Sequence, residues 1–195
     1  MDWRAPAVRA RGLQDALALL ERRYPDAHRA MRARLPEETW RVVHESPRTA
    51  WIDVQHEHLI VDSWAPLLGD EVTDFLADAV LMTLESPLFN TLAKGAMRMF
   101  GVTPRSIIRQ IPRAWSNVYR DHLIAEIEHL DADGAVLAFR DIAPEVYEAE
   151  GYPVVWKGIF EAIYRLCQHQ GEARWERDPH ARAGTWTLSW RPNAT

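Results

Sequence analysis

The side chains able to do chemistry in this chain are scattered, and their spacing decides which chemistry each could support. His56-Glu57-His58 invites a metal reading. On a strand, positions 56 and 58 would share a face; on a helix they diverge by about 200°, too far to chelate one ion. The zinc-peptidase pattern needs a second histidine at position 60, where the chain has Ile60. The run begins a helix, so a solvated or capping role is expected. Glu126-Ile127-Glu128-His129 carries the Glu/His spacing of di-iron bundles. That chemistry takes two such motifs and further glutamates, all on helices, and this segment reads as a strand. Cys167 and His169 diverge on a helix, and a thiol beside Leu166 at a helix end reads as buried and structural. No G-x-S-x-G elbow, Walker loop or G-x-G-x-x-G is present. No catalytic residue, metal ligand or cofactor is therefore assigned, and the chain is expected not to be an enzyme.

Two other constellations remain. Arg98, Arg105, Arg109, Arg113 and Arg120 form a basic succession, but the net charge is −5 and only Lys94 and Lys157 are lysine. Nucleic-acid binding is not expected from that balance; a solvated face pairing with carboxylates is. The aromatic group Trp115, Tyr119, Tyr152, Trp156, Phe160, Tyr164, Trp175, Trp186 and Trp190 has two readings. It is core, or part of it lines a pocket between a helix over 104–121 and a helix over 152–169. Pockets of that kind are mostly apolar with a few polar groups, which Arg120, Asp121 and His122 could supply. The ligand-binding residues assigned on this reading are Trp115, Tyr119, Trp156 and Phe160.

Those residues must be positioned by elements that the periodicity reveals. Helical spacing dominates residues 1–121. Leu13, Ala16, Leu17 and Leu20 share one face, and Pro25 and Pro36 punctuate two short helices. Residues 49–54 read as an extended connector, and a helix covers 57–68 with a stop at Gly69. A strongly apolar helix opens at Asp70. Ser86-Pro87 and Thr103-Pro104 are helix starts and Gly101 a stop. Pro112 should bend or break the helix after residue 104. Beyond residue 121 the period falls to 2: a strand over 123–130, a turn at 131–134 and a strand over 135–140 make a hairpin. A helix then precedes two further strands, the last with Trp186, Leu188 and Trp190 on one face. The expectation is a single α+β domain over 1–195. Its N-terminal helical region packs on a C-terminal four-stranded antiparallel sheet of order β-β-α-β-β, over 122–191. No apolar run is long enough to span a membrane and the N-terminus does not resemble a signal peptide. With a single cysteine, a cytoplasmic location is expected.

The segments RAWSNVYRD, GYPVVWKGIFEAIYRLCQHQG and ARWERDPHARAGTWTLSW resemble the small-molecule-binding module of the vinyl-reductase type. That module shares its fold with TRAPP-complex subunits and haem-NO-binding domains, and the likeness is closest to uncharacterised paralogous families abundant in myxobacteria. It covers roughly residues 60–191. Asp178-Pro179 and Gly184 echo a cysteine-bearing stretch of the module, but no cysteine follows Cys167, and the Tyr-x-Ser-x-Arg signature of the haem variant is absent. The resemblance implies sensing, scaffolding or ligand carriage, often as a dimer. The expected function is a non-enzymatic sensory or regulatory module holding a small apolar ligand or a protein partner. The alternative is a homodimeric interaction or scaffold subunit with a filled core; less favoured is an enzyme with an unrecognised site.

Overall fold

Short strands give no periodic signal, and the first surprise of the fold is built from three of them. In a computed structural model, described for residues 5–84 and 102–193, β1 (Ala7–Arg9) pairs antiparallel with β2 (Trp51–Asp53) and β3 (Tyr119–Arg120). Val8 faces Ile52 on one side and Tyr119 on the other. The stretch expected as a connector is thus partly a strand. Two or three residues are too few for alternation to show.

Between these strands run the N-terminal helices. α1 (Ala10–Arg23) buries Leu13, Ala16, Leu17 and Leu20, the face its spacing defines. α2 (Pro25–Arg34) and α3 (Glu37–Glu45) follow. α4 (Val54–Leu68) begins three residues earlier than its apolar pattern, because the Asp53 carboxylate accepts the Gln55 N–H at 2.8 Å and caps it. It stops at Gly69, whose φ of 55° lies in the left-handed region. α5 (Val72–Leu84) carries buried Phe75, Leu76 and Ala79. The start expected at Ser86-Pro87, the stop at Gly101 and Arg98 lie outside the described residues. A reciprocal Thr103–Ser106 capping box opens α6 (Pro104–Ile108). The helix expected over 104–121 is broken, as Pro112 demands: α6 ends, α7 (Ile111–Ala114) takes Pro112 in its first turn, and a 3-10 turn spans Trp115–Asn117.

The second half is β4 (Ile124–Leu130), β5 (Gly134–Arg140), α8 (Pro144–Glu148), α9 (Tyr152–Leu166), β6 (His169–Asp178) and β7 (Ala183–Pro192). The strands form one antiparallel sheet in the order β4-β5-β7-β6. This is the expected β-β-α-β-β arrangement, with a short helix added and the connecting helix ending at Leu166 rather than 169. Gln168, at φ 57°, turns the chain straight into β6. Leu137 pairs with Trp186 and Trp186 with Trp175, so the inner face is continuous across three strands. The outer face carries Glu126 and Glu128 around Arg140 at 2.9 and 2.8 Å, exposed pairs that contribute little.

α9 covers the inner face and is itself covered by α5. Gly158 permits that contact: a Cβ there would lie 2.3 Å from the Leu76 Cβ and 3.3 Å from its backbone carbon. Gly158→Ala is expected to lower stability by about 1–3 kcal/mol through overpacking, measurable by thermal or urea unfolding; an unchanged midpoint would show that α5 can withdraw freely. At the other end of α9, Arg165 meets Glu161 at 2.8 Å, Asp78 at 3.2 Å and Asp74. Among the described residues no helix is long and apolar enough to cross a membrane.

Candidate functional site

Where α4, β3 and α9 converge, the protein buries a set of polar groups it does not fully satisfy. The helical period places Glu57 on the same stripe as Ile60, Val61, Trp64 and Leu68. The carboxyl therefore points inward, at 7% exposure. His56 is buried beside it and meets the Thr39 hydroxyl at 3.1 Å through Nδ1. The solvated or capping role expected for this run is corrected for His56 and Glu57: Asp53 supplies the cap and the first turn of α4 lies in the interior.

The Tyr119 hydroxyl donates to Glu57 Oε1 at 2.8 Å. Burial raises the Glu57 carboxyl to about 7, partly offset by that hydrogen bond. A carboxyl in a first helical turn is ordinarily favoured as the anion by about 0.3–1 kcal/mol, and burial outweighs it. The Tyr119 phenol is pushed well above its usual range, first by burial and then by the Glu57 charge.

His122 follows Asp121, whose φ of 49° swings the chain from β3 into β4. The turn drives the imidazole inward, to 2% exposure, while Arg120 and Asp121 stay at the surface. Neither ring nitrogen has a hydrogen-bond partner. Burial, with a smaller contribution from His58, lowers its pKa to about 3, so it is neutral. His58 is lowered too, mainly by burial, and its Nε2 is likewise unpartnered. Tyr152 completes the group from the first turn of α9, its hydroxyl buried beside the Trp156 indole N–H, which partly offsets the effect of burial, and otherwise without a partner. Gly151 lets it approach α4: a Cβ there would come within 2.8 Å of Val61 and Asp62.

The aromatic residues expected to bind ligand are brought together. Trp115 stacks on Tyr119 at 4.2 Å and on Trp156 at 4.3 Å, and Trp156 meets Phe160 at 5.5 Å. Trp156 and Phe160 are fully buried against Phe139 and Trp186. They are core, and Trp115 is the half-buried outer member. Outside it lies an open cleft of about 440 Å³, lined by Trp115, Tyr119, His122, Arg120, Asp121 and Ile124 among others. Arg120, which is exposed, lays its guanidinium over Trp51 at 4.0 Å, as Arg9 does at 3.9 Å. Arg105, Arg109 and Arg113 are exposed.

The other chemical candidates lie apart. Glu126, Glu128 and His129 are exposed on β4, and His129 Nε2 faces Asp131 at 2.5 Å. Cys167 is buried, and burial pushes its thiol up to about 11. Among the described residues no group of three or more His, Cys, Asp or Glu is placed to hold a metal ion.

No family model and no curated protein matches the chain. Solved structures do. An H-NOX protein from K. algicida matches with TM-score 0.64 at 8% identity, over 96% of this chain and 98% of that one. One from S. oneidensis in an Fe(II)NO state matches with 0.62 at 12%, over 94% and 99%. An oxygen-binding H-NOX domain related to soluble guanylate cyclases matches with 0.59 at 8%, over 94% of each. The fold is thus α+β of the H-NOX type, and at these identities the likeness is of fold alone.

Haem is named for another of the similar structures, and holding one takes an accessible donor side chain. Every histidine, cysteine and tyrosine of the chain lies among the described residues. The buried ones without a partner are His58, His122 and Tyr152, apart from Cys167, whose thiol is held protonated. His122 is boxed by Tyr119 at 4.4 Å and by Trp115 and Tyr152 at 5.4 Å each, with planes inclined at 41°, 60° and 51°. No porphyrin plane passes between those rings to reach a nitrogen at bonding distance. Enclosed in this way, His122 does not fit as a haem ligand.

Proposed function

We propose that the chain is a non-enzymatic, cytoplasmic ligand-binding module of a sensory or regulatory kind. A small, largely apolar ligand lies in the cleft against Trp115 and Tyr119, with Trp156 and Phe160 as the fixed wall behind them. The observation that supports this is the coincidence of cleft and cluster. The rings that line the opening, Trp115, Tyr119 and His122, are the same ones that lead to the buried unpartnered polar atoms. A volume of about 440 Å³ is in the range of small-molecule sites. Nothing in the cluster is arranged as a nucleophile with its base: the Tyr119–Glu57 pair faces inward, and His122 is neutral without an orienting partner.

Native mass spectrometry of protein purified from its host tests the reading. The expected result is a co-purified small molecule that Trp115→Ala releases; a ligand retained equally by that variant would place binding elsewhere. A second reading, a homodimeric scaffold, draws on the exposed Val118 and Ile124 near the cleft. A monomeric mass by light scattering, unaffected by Ile124→Ser, would remove it.

A further inference from the structure

β6 ends the four-stranded sheet, and among the described residues no strand lies beyond it. An edge strand presents unpaired N–H and C=O groups, and proteins guard such edges with short strands, bulges, prolines or charges. The other edge of this sheet, β4, has a bulge between Ile127 and His129. β6 has neither bulge nor proline: its ten residues pair with β7 in unbroken register. α8 engages its far end, where the Tyr147 hydroxyl donates to the Asp178 carbonyl at 2.6 Å and Arg177 donates to the Tyr147 carbonyl.

The ladder fixes which residues turn to that edge. Trp190 stands opposite Gly171 and gives its N–H to the Asp133 carbonyl at 2.9 Å, away from β6. Opposite residues of an antiparallel pair alternate between bonded and unbonded. Gly171, Ala173 and Trp175 therefore direct their N–H and C=O to the open edge. Glu172, Arg174 and Glu176 alternate with them and are exposed on the outer face. Across the ladder they meet Ser189, Thr187 and Thr185 of β7, which carry no charge.

Charges on an edge are ordinarily a guard in themselves, because a second copy would set like against like. One register here avoids that. Antiparallel pairing must place the outward-turned residues against one another. With Ala173 opposite Ala173 of a second copy, each Glu172 meets the copy's Arg174, and each Glu176 meets the copy's uncharged Gln170. Each Trp175 then faces the copy's Gly171, the largest side chain of the strand against the residue with none. The registers on either side set Glu172 against Glu172 or Arg174 against Arg174, and a further slip sets Glu172 against Asp178.

We propose that the chain self-associates through β6, two copies pairing antiparallel about Ala173 so that their sheets become one. The cleft and Ile124 adjoin β4, at the opposite edge, so pairing and ligand binding are separate properties.

Sedimentation velocity over a concentration series tests this, with circular dichroism to check that each variant folds. The parent should approach twice its 22.5 kDa. Glu172→Arg and Arg174→Glu each set like charges opposite, and should weaken association by roughly tenfold or more. The two variants mixed, or both substitutions in one chain, set opposite charges facing again and should restore it. Ala173→Pro removes an outward N–H, a change tolerated at an edge, and should leave a folded monomer, while Ile124→Ser should leave the dimer intact. A parent that stays monomeric up to about 1 mM overturns the proposal, whether the edge then takes a strand of another protein or none. So does a dimer indifferent to both charge reversals and to Ala173→Pro. Association lost in the single variants and not regained in their mixture overturns it too.

Discussion

Trp156→Ala is expected to remove about 3–5 kcal/mol of stability, the range for deleting a buried aromatic side chain. Trp156 has no exposed surface and touches four aromatic rings, of Trp115, Phe139, Tyr152 and Phe160. It also joins the two halves of the molecule, since α9 contacts the sheet on one side and α5 on the other. A domain of ordinary stability, about 5–15 kcal/mol, would lose a large part of its margin. Trp156→Phe keeps most of the volume and should cost clearly less. Urea unfolding of both variants checks this. A loss below about 1 kcal/mol for alanine would mean that the ring lines an adaptable space rather than a packed core.

The second large effect is on pH dependence. Folded Glu57 keeps its proton to about pH 7, whereas its ordinary value is 4.5. The stability it contributes is complete below pH 4.5 and is lost as pH rises through 7, a change on the order of 3 kcal/mol. His122 acts oppositely, moving from 6.5 to about 3 on folding. Its contribution is complete above 6.5 and is lost as pH falls toward 3, by at most about 5 kcal/mol. His58, depressed mainly by burial against the pull of Asp62, Asp53 and Glu145, follows His122 in direction. Tyr119 and Tyr152, both raised well above 10.0, stay protonated throughout. Between pH 4.5 and 6.5 the slopes of Glu57 and His122 oppose one another, and His58 leaves the native protein modestly more stable as pH rises. Glu57→Gln should become more stable as pH rises through that window, and His122→Phe less stable. Denaturation curves at four pH values decide it; parallel profiles for Glu57→Gln and the parent would show that Glu57 is hydrated in the folded state.

The fold was legible wherever an element was long enough to show its period. α1, α5, α9 and the strands around Trp186 follow from spacing alone, and Pro112 marked the break before Trp115. The three-stranded sheet was not legible, because β3 is two residues long and its pairing with β1 spans more than a hundred positions. At the site, the aromatic residues and the Arg120-Asp121-His122 junction were visible. Glu57 was missed for a physical reason: a His-Glu-His run reads as polar, and its charge pattern hid the position of Glu57 on the stripe of Ile60, Val61, Trp64 and Leu68. Which of the junction residues turns inward depends on the left-handed turn at Asp121, which composition does not encode.

Entry of a ligand at Trp115 is read from the indole N–H resonances in ¹H–¹⁵N spectra, assigned by single Trp→Phe substitutions, during titration with ethylbenzene as a small apolar probe. The Trp115 and Trp156 signals should move together, while Trp64, packed on Phe75 at 4.4 Å, and Trp40, against His44 at 3.8 Å, stay fixed. Saturating shifts confined to Trp64 or Trp40, or no shift at Trp115 at any concentration, would contradict it.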